Sequence, residues 1–198
     1  MRMNVENGRG GNRGGIGDIV SKSNEVKPIH YIQAALTVIG LILNFILLIF
    51  DIVSGMPVLT TGCMLLSLIG YITVGYYCIS GYQTGNPRTF AIASWGVAGM
   101  LFFQSLIDEG SFIVNALLIL AFGLMLVFAE NIDNRTRATQ VIYATMAILA
   151  VAAILGLFFV NIAGAEGWVN VLARLIPWTR LVLVGTIALI YSEYDVYE

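Results

Sequence analysis

From Tyr31 to Phe50 the chain carries no Asp, Glu, Lys or Arg, and from Pro57 to Pro87 it again carries none. A charge-free run of this kind constrains a fold more than any motif does. The hydrocarbon core of a bilayer is about 30 Å thick and takes roughly 20 helical residues to cross. Six stretches reach or approach that length: Tyr31–Phe50, Val58–Ile79, Phe90–Ile107, Phe112–Ala129, Val141–Ile162 and Trp168–Tyr191. They are apolar on every face, whereas strands of a membrane barrel alternate apolar and polar over about ten residues. Helices also satisfy their own backbone groups in lipid. Composition agrees: 58% of the 198 residues are hydrophobic and 11% charged, against about 25% charged in soluble domains.

The sequence therefore predicts an all-α integral membrane protein, a bundle of six transmembrane helices. Residues 1–29 read as a flexible tail, 30–192 as the membrane domain and 193–198 as a short acidic, tyrosine-bearing tail. The polar first 29 residues precede a full-length apolar run, a pattern of a retained span rather than a cleaved signal peptide. The connections between runs are too short for a folded extramembrane domain.

Charge distribution orients the chain. Arg2, Arg9, Arg13, Lys22 and Lys27 lie in the first tail, Arg88 after the second run, and Arg135 and Arg137 after the fourth. The alternate connections hold Asp51, Asp108, Glu109 and Glu166 and no base. Basic residues stay cytoplasmic, so both termini are expected there. Against this stands one short motif, the N-glycosylation pattern Asn134-Arg135-Thr136, which would need a lumenal loop. The charge asymmetry draws on every loop and outweighs it.

Several chemistries lack their parts. His30 is the single histidine, too few for a multi-helix haem protein, a His-rich membrane enzyme or a metal pair. Cys63 and Cys78 share one helix and lie about 22 Å apart along it, beyond disulfide reach. The sequence contains no Cys-x-x-Cys, no Gly-x-Ser-x-Gly and no Walker phosphate loop. The expectation is a non-enzyme without cofactor or metal. The tail Asn7–Asp18 contains two Arg-Gly-Gly units, but five bases against three acids over residues 1–27 leave only +2 of charge. A disordered tail holding the N-terminus inside explains it better than nucleic-acid binding.

The segment Thr73-Val74-Gly75-Tyr76-Tyr77 differs by one letter from the TVGYG loop of potassium filters. A filter needs extended backbone presenting carbonyls to the ion, and its second glycine is Tyr77 here. The run around it crosses by itself, and the expected topology puts Gly75 near the cytoplasmic surface. The tyrosines read instead as an interfacial belt and Gly70, Gly75 and Gly81 as helix contacts.

The unusual segment is Leu172–Leu181, LARLIPWTRL. Counted from Trp168, Arg180 lies about 18 Å deep and Arg174 about 9 Å deep. An arginine at the centre costs about 2.5–3.5 kcal/mol on insertion scales, so it faces the bundle and has a partner. Pro177 frees the carbonyl of Ala173 and permits a kink, and Trp178 can cover Arg174. Candidate partners are Asp51, Asp108 and Glu109, with Glu166 more exposed; Asn44, Gln104, Asn115 and Asn161 add polar groups within the spans. These residues form either a polar-solute cavity around Arg174 and Arg180 or an ion-paired lock positioning the last helix. Ala91, Ser94 and Ala98, and Ala152 with Gly156, form small-residue faces for helix contact, within the bundle or with partner membrane proteins. The leading expectation is a membrane assembly or accessory subunit; the alternative is a small transporter or channel component.

Overall fold

The computed structural model describes residues 28–55, 58–84, 87–106, 112–160 and 167–193, with the side chains of 73–90 outside the description. Among them are six helices: α1 Pro28–Val53, α2 Val58–Thr84, α3 Pro87–Ser105, α4 Phe112–Glu130, α5 Arg135–Phe159 and α6 Gly167–Glu193. Each overlaps one of the apolar runs. The largest shift is in α5, which begins at Arg135 rather than Val141. Its N-cap is Asn134, whose side chain accepts a hydrogen bond from the Arg137 N–H at 3.2 Å and satisfies a donor that the helix itself leaves open. Two arginines in the first turn oppose the helix dipole. Arg135 offsets this by donating to the Ser192 carbonyl at 3.1 Å, near the end of α6.

Helices adjacent in sequence pack against each other, and α1 closes the ring on α6. Helix α6 also reaches across to α2 and α3. It is the hub: 61% of its membrane-length window is buried, against 28–33% for the other three long apolar helices. Those four, Tyr31–Val53, Phe112–Glu130, Arg135–Phe159 and Gly167–Ser192, have 19 to 26 residues, or about 29–39 Å at 1.5 Å per residue. All are long and apolar enough to cross a membrane.

Polarity runs inside out relative to a water-soluble domain. Ile32, Ile39, Phe45, Ile49, Leu120, Ile154 and Phe158 are exposed, while Asn44, Asp51, Ser67, Ser94, Gln104, Thr145, Thr179 and Arg180 are buried. Water would reverse this arrangement; hydrocarbon solvates the aliphatic exterior and forces polar groups inward. The fold is thus the kind expected of a helical membrane bundle.

The small residues face inward. Ser94 and Ala98 on α3 and Ala152 on α5 are buried, Gly156 is buried on α5, and Ala91 packs half-buried against the main core. A Cβ at Gly156 would lie 2.7 Å from Pro177 Cγ, so α5 and α6 touch through a glycine notch that receives the proline ring. Helix α6 continues through Pro177. Buried residues of α4 recur as Val114, Leu118, Ala121, Met125 and Phe128, a helical stripe toward the core. The stretch Thr73–Tyr77 lies within α2, so its backbone is helical and not the extended strand of an ion filter.

Candidate functional site

Helix α6 carries its polar groups on the faces it turns inward. Arg180 is 1% exposed, and its Nε donates to Gln104 Oε1 of α3 at 2.7 Å. This bond pairs the guanidinium with a neutral amide oxygen. Thr179, one residue earlier, sits where α1, α2 and α6 meet. Its hydroxyl bonds to the Tyr71 hydroxyl of α2 and donates to the Ile176 carbonyl at 2.8 Å. Asn44 of α1 reaches Thr179 Oγ1 at 3.4 Å while donating to the Gly40 carbonyl at 2.8 Å. A Cβ on Gly40 would stand 3.0 Å from Thr179 Cβ, so the missing side chain lets the two helices close on this junction.

The polar contact continues along the same pair of helices. Thr186 of α6 bonds to Thr37 at 3.3 Å and to Gln33 Oε1 at 3.2 Å. Gln33, Thr37, Gly40, Asn44 and Asp51 follow helical spacing, so they share one face of α1. From Gln33 to Asn44 the polar positions run about 16 Å along the helix; Leu47 and Leu48, buried on the same side, stand between them and Asp51. Asp51 is itself buried and accepts from Thr61 Oγ1 of α2 at 3.2 Å. The α1–α6 contact is therefore a polar seam within an apolar bundle.

The sequence candidates divide accordingly. Gln104 and Asn44 join the Arg180 region, the first directly and the second through Thr179. Asp51 bonds to Thr61 at the end of the seam. Arg174 goes elsewhere: six residues from Arg180, it projects about 120° away around the helix. Its Nε donates to the Val160 carbonyl at 3.2 Å, at the C-cap of α5, where a cation complements the helix dipole. Asn115 is half-buried on the first turn of α4. Asp108, Glu109, Asn161 and Glu166 lie outside the described residues, as do the two tails and the side chains of His30, Cys78 and Arg88. Cys63 is buried as a free thiol.

Sequence reasoning missed Tyr71, Thr179, Gly40 and the Gln33–Thr37–Thr186 contact. Tyr71, which its neighbours Tyr76 and Tyr77 suggest as part of an interfacial belt, is 2% exposed in the bundle. The available signal was the spacing of Gln33, Thr37, Asn44 and Asp51 along one face of α1. Tyr191, at the end of the last apolar run, is also buried; its hydroxyl donates to the Ile132 carbonyl at 2.7 Å and its ring meets Phe128 edge-on.

The seam offers hydroxyl and amide groups, with the Arg180 guanidinium beside it and the Asp51 carboxyl at its far end, and such groups bind and orient polar ligands. Among the described residues no group of three His, Cys, Asp or Glu side chains could hold a metal ion. No protein-family model, curated protein or solved structure matches the chain.

Proposed function

We propose that the chain is a small, non-enzymatic transporter or channel component, and that a small polar solute binds or passes along the α1–α6 seam beside Arg180. In this reading all six helices cross the bilayer and both termini are cytoplasmic. One observation carries it: Gln33, Thr37 and Asn44 share one face of α1 and bond to Thr186 and Thr179 of α6. Ionisable and polar residues inside a membrane are costly and mark substrate or ion routes. Packing alone could be met by the aliphatic side chains used elsewhere in the bundle. Ser94, Ala98, Ala152 and Gly156, read in the sequence as contact faces within the bundle or toward partners, turn inward.

Cysteine accessibility tests this without knowledge of the solute. With Cys63 and Cys78 replaced by serine, Thr179→Cys and Asn44→Cys should react with a membrane-impermeant thiol reagent in sealed vesicles. Ile42→Cys, on the outer side of α1, should stay inert. If Thr179→Cys were as inert as Ile42→Cys, the seam would be a dry lock and the transport reading would fall.

The second reading, an assembly or accessory subunit, is favoured by the outer face of α1. Only 28% of that helix's membrane window is buried, and Ile32, Leu36, Ile39, Ile46 and Ile49 lie open along it. A partner would seat on these bulky rows. Co-purification from native membranes with mass spectrometry should then return one stoichiometric membrane protein, lost when Leu36 and Ile39 are both replaced by tryptophan.

A further inference from the structure

We infer that Arg174 binds the phosphodiester of a membrane phospholipid at the rim of the bundle where α5 ends and α6 begins. This rests on the protein lying in a membrane, and is independent of the seam.

Helical side chains lean toward the N-terminus of their helix, so Arg174 leans toward the start of α6. Its bond to Val160, the C-cap of α5, places the guanidinium at the level where both helices reach their shared end. Among the described residues this is the hydrogen bond Arg174 makes, and it uses one of five N–H donors. The remaining donors form a planar fork suited to a phosphate.

The neighbouring surface is apolar and open. Val171, Leu175 and Trp178 share a helical face with Arg174 and are 57%, 39% and 37% exposed, and α5 ends in exposed Phe158 and Phe159. Trp168 lies nearer the rim, 52% exposed and edge-on to Phe50, as interfacial aromatics do. A half-buried cation above a lipid-facing apolar strip matches one molecule in both parts. The phosphodiester meets the guanidinium, and the acyl chains run down past Leu175 and Trp178. A soluble anion would meet only the first part.

The test is native mass spectrometry of the whole chain in detergent. The probes are dioleoylphosphatidylglycerol, dioleoylglycerol (the same chains without phosphate) and inorganic phosphate. Wild-type protein should hold the phospholipid about tenfold more tightly than Arg174→Gln, the worth of a charge-assisted hydrogen bond. Arg174→Lys should fall between, because it keeps the charge and loses the fork. Dioleoylglycerol should bind weakly and equally to all three, and excess inorganic phosphate should not displace the phospholipid. Arg137→Gln, which removes an exposed cation at the other end of α5, should leave binding unchanged. Thermal unfolding of each variant separates a lost site from a lost fold, and Arg174→Lys keeps the test open should Arg174→Gln unfold. The inference is overturned if folded Arg174→Gln binds phospholipid as wild type does. Displacement by phosphate, equal binding of dioleoylglycerol, or an equal loss in Arg137→Gln would also overturn it.

Discussion

Arg180 and Gln104 lie on helices far apart in sequence and meet at 2.7 Å in the interior. Placing a guanidinium there is expensive, and the Nε bond to Gln104 offsets part of that cost. Gln104→Leu should therefore destabilise the bundle more than the loss of one neutral hydrogen bond would. Arg180→Met in the same background should restore part of the loss, because the buried charge is then gone. A double-mutant cycle read by detergent-denaturant unfolding should give a coupling of about 1.5 kcal/mol, at the upper end for contacts between membrane helices. Coupling near zero would mean that the bond is geometrically present but energetically idle. The sequence marks Arg180 as needing a partner and includes Gln104 among the candidates. It does not choose Gln104 over Asp51, because the choice depends on which helices are neighbours.

At the level of elements, the α5–α6 contact depends on one absent side chain. Gly156→Ala places a methyl 2.7 Å from Pro177 Cγ, and a proline ring cannot rotate away. The helices must separate, costing about 1–3 kcal/mol as overpacking does. Gly123→Ala on α4 is the control, since a Cβ there meets nothing within 4 Å. It should be neutral or slightly stabilising, by up to about 1 kcal/mol. Equal unfolding midpoints for the two variants would sink the notch interpretation. The small residues of α5 were legible in the sequence as a contact face; that Pro177 fills the notch was not. Read in sequence, Pro177 suggests a kink, whereas in three dimensions it is also a packing surface.

For the whole molecule, the proposed topology has a direct measurement. Ser21→Cys in the first tail should react with an impermeant reagent only after cells are opened. Ser54→Cys and Ser111→Cys should react in intact cells. Labelling of all three from one side would refute the orientation drawn from the basic residues. The ring of helices closed by α1 on α6 also explains why α6 is the most polar of the four long apolar helices and yet the most buried. A hub has no lipid-facing majority, so it carries the groups that lipid rejects.

The sequence by itself determined that the described chain is helical, where its helices lie to within about six residues, and that Leu172–Leu181 is exceptional. These properties follow from run length and transfer free energy, which add up locally along the chain. Tertiary structure alone decided that Arg174 and Arg180 serve different places, that Tyr71 and Thr179 belong beside Asn44, and that the small-residue faces point inward. Each of these depends on which helix face meets which neighbour. That is settled by shape complementarity between side chains distant in sequence, to which a one-dimensional pattern has no access.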